Sequence, residues 1–468
     1  MEKLSEKLPK EFVLRLKDSL GEKFNDYLTA IDEPSVRGVR VNTKKVSADK
    51  VKEIFEKEFS VKLKSIDYAD DGFILDSDIK VGNEPSHLAG FYYFQEPSSM
   101  IPVVSSKIEE EARPLKVLDL CASPGGKTGQ IVCRVSEDSL VVSNEIIASR
   151  AAVLFSNVER QGFKNVIVTN EEPERLLVFK GYFDYVFVDA PCSGEGMFRR
   201  VPETISEWSE DNVKMCAERQ RKILEIAEQL VAPQGKLVYS TCTYSKEEDE
   251  DIVLWFLNNF NYKLEEVPET VKKSTIAADL PVENGQEARK FYPFSGKGEG
   301  QFVAVFKNLD SERESVMHTK KHFRAIEGVH RAKRSVFENF ESENLTEKID
   351  GRIYEVGETV YMVPKQFDGD LQTAIDSLKF NTIGVKVGAF LKDRFEPNHS
   401  MFMAYSDLFK TKIELQDDEL KKYLHGEELI SAVCGKGYAV VTKNGYPLGG
   451  VKIVGNRLRN LYPKGLRI

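Results

Sequence analysis

Residues 116–128 read KVLDLCASPGGKT, and their pattern decides the fold. An apolar run breaks at Asp119 into a small, glycine-containing turn, and the turn leads into a stretch with helical spacing. A strand that delivers a glycine turn to a helix N-terminus is the opening unit of a parallel α/β sheet. Reading outward, short apolar runs recur as LVVSNE (140–145), NVIVT (165–169), YVFVDA (185–190), KLVYST (236–241) and QFVAVF (301–306). Between them, ASRAAVLFSNVERQG has helical periodicity and a stop at Gly162, and MCAERQRKILEIAEQL has the same spacing ahead of Pro233. Ser245 followed by Glu248 has the form of a capping box opening a helix into DIVLWFL. Residues 115–307 therefore predict a doubly wound, mostly parallel sheet with helices on both faces.

Two familiar phosphate-binding loops compete for the turn after the first strand, and neither fits. Gly126-Lys127-Thr128 matches the end of a P-loop, but its first glycine position holds Cys121 and Pro124 stiffens the middle. The dinucleotide pattern G-x-G-x-x-G is also missing. The loop Cys121-Ala122-Ser123-Pro124-Gly125-Gly126-Lys127 still lets a ligand approach the backbone closely, at the carboxyl edge where open α/β sheets bind ligands. The second strand ends on Glu145, 26 residues beyond Asp119, where a carboxylate can accept hydrogen bonds from a ribose diol. A nucleoside ligand without phosphates suits this pair of features, and S-adenosylmethionine is the one expected.

The fourth strand runs into Asp189-Ala-Pro-Cys-Ser-Gly-Glu-Gly and the fifth into Ser240-Thr-Cys-Thr. Both Cys192 and Cys242 thus emerge at the active edge of one sheet. A lone cysteine usually packs as a small hydrophobe, which accounts for Cys133, Cys216 and Cys434; two thiols on neighbouring edge loops call for another explanation. Carbon 5 of a pyrimidine is a poor nucleophile, and thiolate addition at carbon 6 makes it enamine-like and able to attack a sulfonium methyl. Asp189 is placed to orient the amidine edge of such a base. The residues alone leave open which cysteine attacks.

These elements resemble the NOL/NOP2/Sun group of cytosine-5 RNA methyltransferases. The resemblance rests on Cys121–Lys127, Glu145, Asp189-Ala-Pro-Cys-Ser-Gly-Glu-Gly196 and Thr241-Cys242-Thr243, in that order. Arg40-Val-Asn-Thr43 and Gln95-Glu-Pro-Ser-Ser-Met100 are similar to the group's N-terminal region. What it implies is a Rossmann-like class I methyltransferase core with an α+β N-terminal region, using S-adenosylmethionine. It implies Cys242 as the nucleophile and Cys192 as the residue that aids product release. In DNA cytosine-5 methyltransferases a Pro-Cys supplies the nucleophile instead, which would nominate Cys192. Lys127 would lie near both cofactor and base. Glu172 takes the place of the group's third cofactor-side carboxylate, an Asp there; Ser123 replaces an alanine.

The rest of the chain bears on substrate. Its 468 residues are too many for one core. The formal net charge is −9, yet residues 431–468 carry seven Lys or Arg and no acid, leaving about −16 elsewhere. YAVVT and GGVKIVG, with NG between them, predict a small β-structure with a tight hairpin. This end resembles the β-rich, PUA-like module of the bacterial RsmF type, which implies 16S ribosomal RNA, free or within the small subunit, as partner. A second basic stretch, Arg313 to Arg334, reads as an inter-domain segment. The expected divisions are 1–92 (RNA-binding), 93–308 (methyltransferase), 309–385 (connecting) and 386–468 (PUA-like).

Alternatives of substrate and class are transfer RNA with the same chemistry, and a non-catalytic RNA-binding or assembly factor. The six cysteines form no disulfide framework or zinc pattern, and the three histidines at 318, 322 and 330 lack a ligand set, so no metal is expected. No apolar run approaches the roughly 18 residues of a membrane span, and the N-terminus lacks a signal-peptide core; the expectation is a cytoplasmic monomer with no membrane partner. The aromatic run Phe91-Tyr-Tyr-Phe94 is read as core packing rather than base stacking.

Overall fold

A computed structural model describes residues 3–77, 79, 81–312, 327–367, 369–392 and 394–468. Its centre is a ten-stranded sheet. Five strands run parallel in the order Val231–Thr241, Phe183–Asp189, Lys116–Asp119, Leu140–Asn144, Val166–Thr169. Gln301–Asn308 pairs antiparallel with Val231–Thr241. Chain order reverses on either side of Lys116–Asp119, which creates a crevice beyond the carboxyl ends of that strand and Phe183–Asp189.

Alternation along the strands explains why both faces are covered. Leu118, Val142, Ile167, Val186 and Leu237 pack on one side with Leu224, Ala227 and Leu230 of helix Glu210–Leu230 and with Val253 and Phe256 of helix Glu250–Asn259. Val117, Val141, Val166, Val168 and Val238 pack on the other with Ile131, Leu154 and Val158, from helices Gly126–Arg134 and Ala148–Gln161. Successive residues of a strand point to opposite faces, so a strand buried on both sides reads as a continuous apolar run. Gly162 caps helix Ala148–Gln161 in the left-handed region, as the sequence predicts.

Three further sheets surround this core. Lys64–Ile66, Ala69–Leu75, Arg37–Val41 and Tyr92–Phe94 form an antiparallel sheet against helix Ala48–Phe59, with Val51 and Phe55 in the seam. The strands Glu327–Gly328, Arg352–Val356, Thr359–Val363, Val385–Leu391 and Arg394–Pro397 make a second antiparallel sheet. Lys412–Glu414 with the long ribbon Leu429–Lys443 and Tyr446–Asn460 makes the third. Asn444 and Gly445, both at positive φ, turn that ribbon, as an Asn-Gly hairpin requires. Of the basic stretch 313–334, residues 313–326 lie outside the described residues, with the histidines at 318 and 322.

The strands Tyr92–Phe94 and Val385–Leu391 run across the expected divisions at 92/93 and 385/386, and Phe380–Ile383, inside the expected connecting region, pairs into the core sheet. One expectation changes: the capping box does not form. Ser245 Oγ donates instead to Glu195 Oε1 at 2.5 Å, Glu248 accepts from Ser193 N, and the helix starts later, at Glu250, with no side-chain cap. Both side chains meet stronger demands from the loops beside them.

The N-terminal unit is bolted to the core through Arg40, which is fully buried. Its guanidinium donates to Gln95 Oε1 at 2.8 Å and to Gln161 Oε1 at 3.3 Å, at the end of helix Ala148–Gln161. Asn42 Nδ2 reaches the carbonyls of Gly90 and Gln161 at 2.8 and 2.9 Å. Arg40→Leu leaves buried acceptors without donors and should lower unfolding stability by about 2–4 kcal/mol. Urea titration checks this; a loss under about 0.5 kcal/mol, the range of an ordinary surface change, contradicts the clamp.

Candidate active site

The turn Cys121–Lys127 is held at both flanks. Leu120 N donates to Phe187 O and Ala122 N to Asn144 O, each at 2.9 Å. Ser123 Oγ donates to Arg150 O at 3.0 Å, and Asn157 Nδ2 to Pro124 O at 2.9 Å. Gly125, at φ 105°, closes the turn as the N-cap of helix Gly126–Arg134, and no side chain caps the first-turn amides. An uncapped helix start presents free N–H donors to an anionic group.

Glu145 stands one strand over, buried, with Oε1 accepting from Ile147 N at 2.9 Å and Arg150 at 3.4 Å from Oε2. Asp119 is fully buried beneath the turn; Oδ2 accepts from Thr128 Oγ1 at 2.7 Å, while Oδ1 has no partner. Free amides, a buried strand-end carboxylate and a spare buried acceptor together fit S-adenosylmethionine, whose amino-acid end is zwitterionic and whose adenosine carries a diol.

Glu172 is exposed at the start of the 3-10 turn Pro173–Phe179. The buried carboxylate at that strand end is Glu171, whose Oε1 accepts from Lys379 N at 2.7 Å. That bond introduces Phe380–Ile383, a strand from the C-terminal half that pairs with Val166–Thr169 and extends the core sheet. No sequence signal marked it, because FNTI is too short to declare a pairing.

Across the switch point the register pairs Asp189 with Ser240 on adjoining parallel strands. Ser240 Oγ donates to Asp189 Oδ1, and Lys127 Nζ sits on Asp189 Oδ2, each at 2.8 Å. Burial pulls the Lys127 ammonium down, but the Asp189 carboxylate outweighs it and leaves Lys127 raised, hence charged. Just beyond, Cys192 Sγ and Cys242 Sγ stand 3.2 Å apart, and Cys242 N–H points at Cys192 Sγ at 3.4 Å. The bond to Cys242 and burial both hold the Cys192 thiol well above its ordinary value.

Several supporting residues carried no sequence-level role. Glu195, inside the Gly-Glu-Gly of the Cys192 loop, is buried; it accepts from Tyr244 N at 3.0 Å and from Trp208 Nε1 at 2.8 Å. Gly196 N donates to Cys242 O at 2.9 Å, and a Cβ at Gly196 would lie 2.7 Å from Gly300 Cα. Lys290, buried against Asp249 at 3.1 Å and Glu250 at 2.8 Å, also donates to Tyr244 O at 2.9 Å. Helices Lys10–Leu20 and Phe24–Ile31 cover these loops, with Phe12 and Tyr27 packed on Phe198, Trp208 and Tyr244. Of the aromatic run, Tyr92 is fully buried, and Tyr93 lies beneath the Arg160 guanidinium.

Family models match along most of this chain: 16S rRNA methyltransferase RsmB/F over residues 106–307, the N-terminal domain of RsmF over 8–97, its first C-terminal domain over 339–405, and its PUA domain over 410–468. The chain belongs to the RsmF-type rRNA methyltransferase family. A ribosomal RNA small subunit methyltransferase F from Psychromonas ingrahamii is 29% identical over 98% of this chain and 97% of its own. One from Enterobacter sp. is 28% identical over 98% and 95%. A solved methyltransferase homolog from Pyrococcus horikoshii covers 65% of this chain and 99% of its own, at 29% identity and TM-score 0.57. Among the described residues, no helix is long and apolar enough to cross a membrane, and no group of three or more His, Cys, Asp or Glu could hold a metal ion.

Burial pushes the Asp119 carboxyl up to about 6, Thr128 pulling it down and the nearby Asp189 charge adding to the rise. A folded-state value above the unfolded one gives stability that is complete below about pH 4 and lost as pH rises through 6. Asp119→Asn should therefore gain on the wild type by about 2 kcal/mol between pH 4.5 and 7.5. Urea midpoints at the two pH values measure it; a constant difference contradicts the assignment.

Proposed function

We propose that this chain methylates carbon 5 of a cytosine in 16S ribosomal RNA from S-adenosylmethionine, through a covalent bond between Cys242 and carbon 6. The observation that supports this best is the pair of sulfurs 3.2 Å apart beside the Lys127–Asp189 ion pair. When bound, S-adenosylmethionine supplies an electrophilic methyl group; Gly125, Gly126 and Lys127 with Glu145 are the residues that would hold it, with Cys121, Ala122, Ser123 and Pro124 shaping the turn; Glu172, exposed past the end of Val166–Thr169, is the further cofactor-side carboxylate that the resemblance implies.

Cys242 attacks carbon 6 as a thiolate. Asp189, fixed between Ser240 and Lys127, faces the amidine edge of the base and orients it. After carbon 5 has taken the methyl group, its proton passes to solvent, the carbon 5–carbon 6 double bond re-forms and the carbon–sulfur bond breaks. The Cys192 S–H supports the departing Cys242 thiolate. This distribution of roles agrees with the resemblance, and burial and the contact with Cys242, which hold the Cys192 thiol above its ordinary value, support it.

A paired cytosine is out of reach, so the target must be splayed from its helix. The exposed Lys436, Arg457 and Arg459 on the C-terminal ribbon are suited to flanking phosphates. Cys242→Ala should abolish turnover, by at least about 10³-fold, with RNA affinity largely kept. Cys192→Ala should trap a protein–RNA adduct, seen as a slow band on a denaturing gel. An active Cys242→Ala, or a Cys192→Ala without adduct, contradicts the assignment.

A further inference from the structure

Glu248 is buried beside the Cys192 loop and has no role in the chemistry described above. Its Oε2 accepts from Ser193 N at 3.0 Å and from Gln220 Nε2 at 2.8 Å, and the same Gln220 nitrogen donates to Pro191 O at 3.1 Å. The residues on either side of Cys192 are therefore tied to one carboxyl, directly and through Gln220. Tyr239 O–H fixes the carboxyl's own backbone, donating to Glu248 O at 2.6 Å. Glu248 Oε1 and Gln220 Oε1 are both buried with no partner. Among the described residues no cation pairs with this carboxyl.

We propose that Glu248 is a positioning residue that biases which of the two sulfurs holds the proton. Ionised, it sets an unpaired negative charge on the Cys192 side of the sulfur contact. That charge disfavours a second negative charge on Cys192, keeps the proton there and leaves Cys242 as the nucleophile. Neutral, it adds no charge, and its share of the bias disappears, leaving burial and the bond to Cys242. The inference rests on the assignment of Cys242 and Cys192 above.

Other titratable and charged groups act on it or on its neighbours. Glu195 from the Cys192 loop adds negative charge, and Cys216 and Tyr239 are neutral, Cys216 being pushed up to about 11 by burial and Tyr239 well above its usual range by burial. Arg219 and Arg221 of helix Glu210–Leu230 act on Cys216 and Tyr239 respectively. Asp249, next along, is engaged by Thr241 Oγ1 and Lys290. Burial pushes Glu248 itself up to about 7, with Ser193 and Gln220 pulling it down and Glu195 adding to the rise. The switch from neutral to charged thus falls near neutral pH.

Sub-stoichiometric alkylation of the full-length protein with iodoacetamide, read by peptide mass spectrometry, reports the Cys242:Cys192 labelling ratio. Glu248→Gln keeps the shape and the acceptor oxygen but never ionises. At pH 6 it should give the wild-type ratio, and by pH 8.5 a ratio lower by about three- to tenfold. Glu248→Ala, checked for folding by thermal melting, should show the lower ratio with the Cys192 loop loosened. Identical wild-type and Glu248→Gln ratios across the pH range overturn the role of Glu248 while leaving Cys242 as nucleophile. A wild-type protein labelled faster at Cys192 than at Cys242 overturns the cysteine assignment itself, and the proposal with it.

Discussion

Two sulfur atoms held 3.2 Å apart constrain everything around them. Thiols that close, one of them protonated, need backbones fixed to a few tenths of an ångström, and loops alone do not supply that. The parallel pairing of Phe183–Asp189 with Val231–Thr241 does: its last paired residues, Asp189 and Ser240, lie three and two positions before the cysteines. Past the ladder the loops continue to hold each other, through Gly196 N to Cys242 O and Ser193 Oγ to Thr243 Oγ1 at 2.8 Å. The chemistry is thus an extension of sheet register.

The outer units serve that geometry. The N-terminal helices bury the far sides of both cysteine loops under aromatic rings, while Arg40 and Asn42 lock the N-terminal sheet to helix Ala148–Gln161, the helix that also restrains the 121–127 turn. From the other end, Phe380–Ile383 extends the core sheet. Tyr446 O–H donates to Glu58 at 2.7 Å, and its ring meets Phe91 edge-on. The basic ribbon is therefore anchored to the N-terminal unit.

What could be read in the sequence was whatever depends on local pattern. Buried parallel strands are apolar throughout, Gly162 marks a left-handed helix end, and Asn444-Gly445 marks a hairpin; each rule acts over a few residues. That the two cysteines and Asp189 meet at one sheet edge was legible because their strands are neighbours that end together. Ser245 and Glu248 show the boundary of such reading. Their spacing satisfies a capping rule, yet Glu195 and Ser193, some 50 positions distant, compete for the same atoms and win. Buried Glu195, Glu248 and Lys290 look like surface residues in a list of letters, because their partners come from other loops. Glu172, placed by analogy with a motif, is exposed beside the buried Glu171; spacing alone does not separate adjacent carboxylates.

The central claim is methylation of carbon 5 of a cytosine in small-subunit RNA. The most direct test incubates the protein and labelled S-adenosylmethionine with small ribosomal subunits, free 16S RNA and bulk transfer RNA from a strain lacking the enzyme, followed by nucleoside mass spectrometry. The account predicts label as 5-methylcytosine in the ribosomal samples and none in transfer RNA. Label on any other nucleoside, in transfer RNA alone, or in no sample would contradict it.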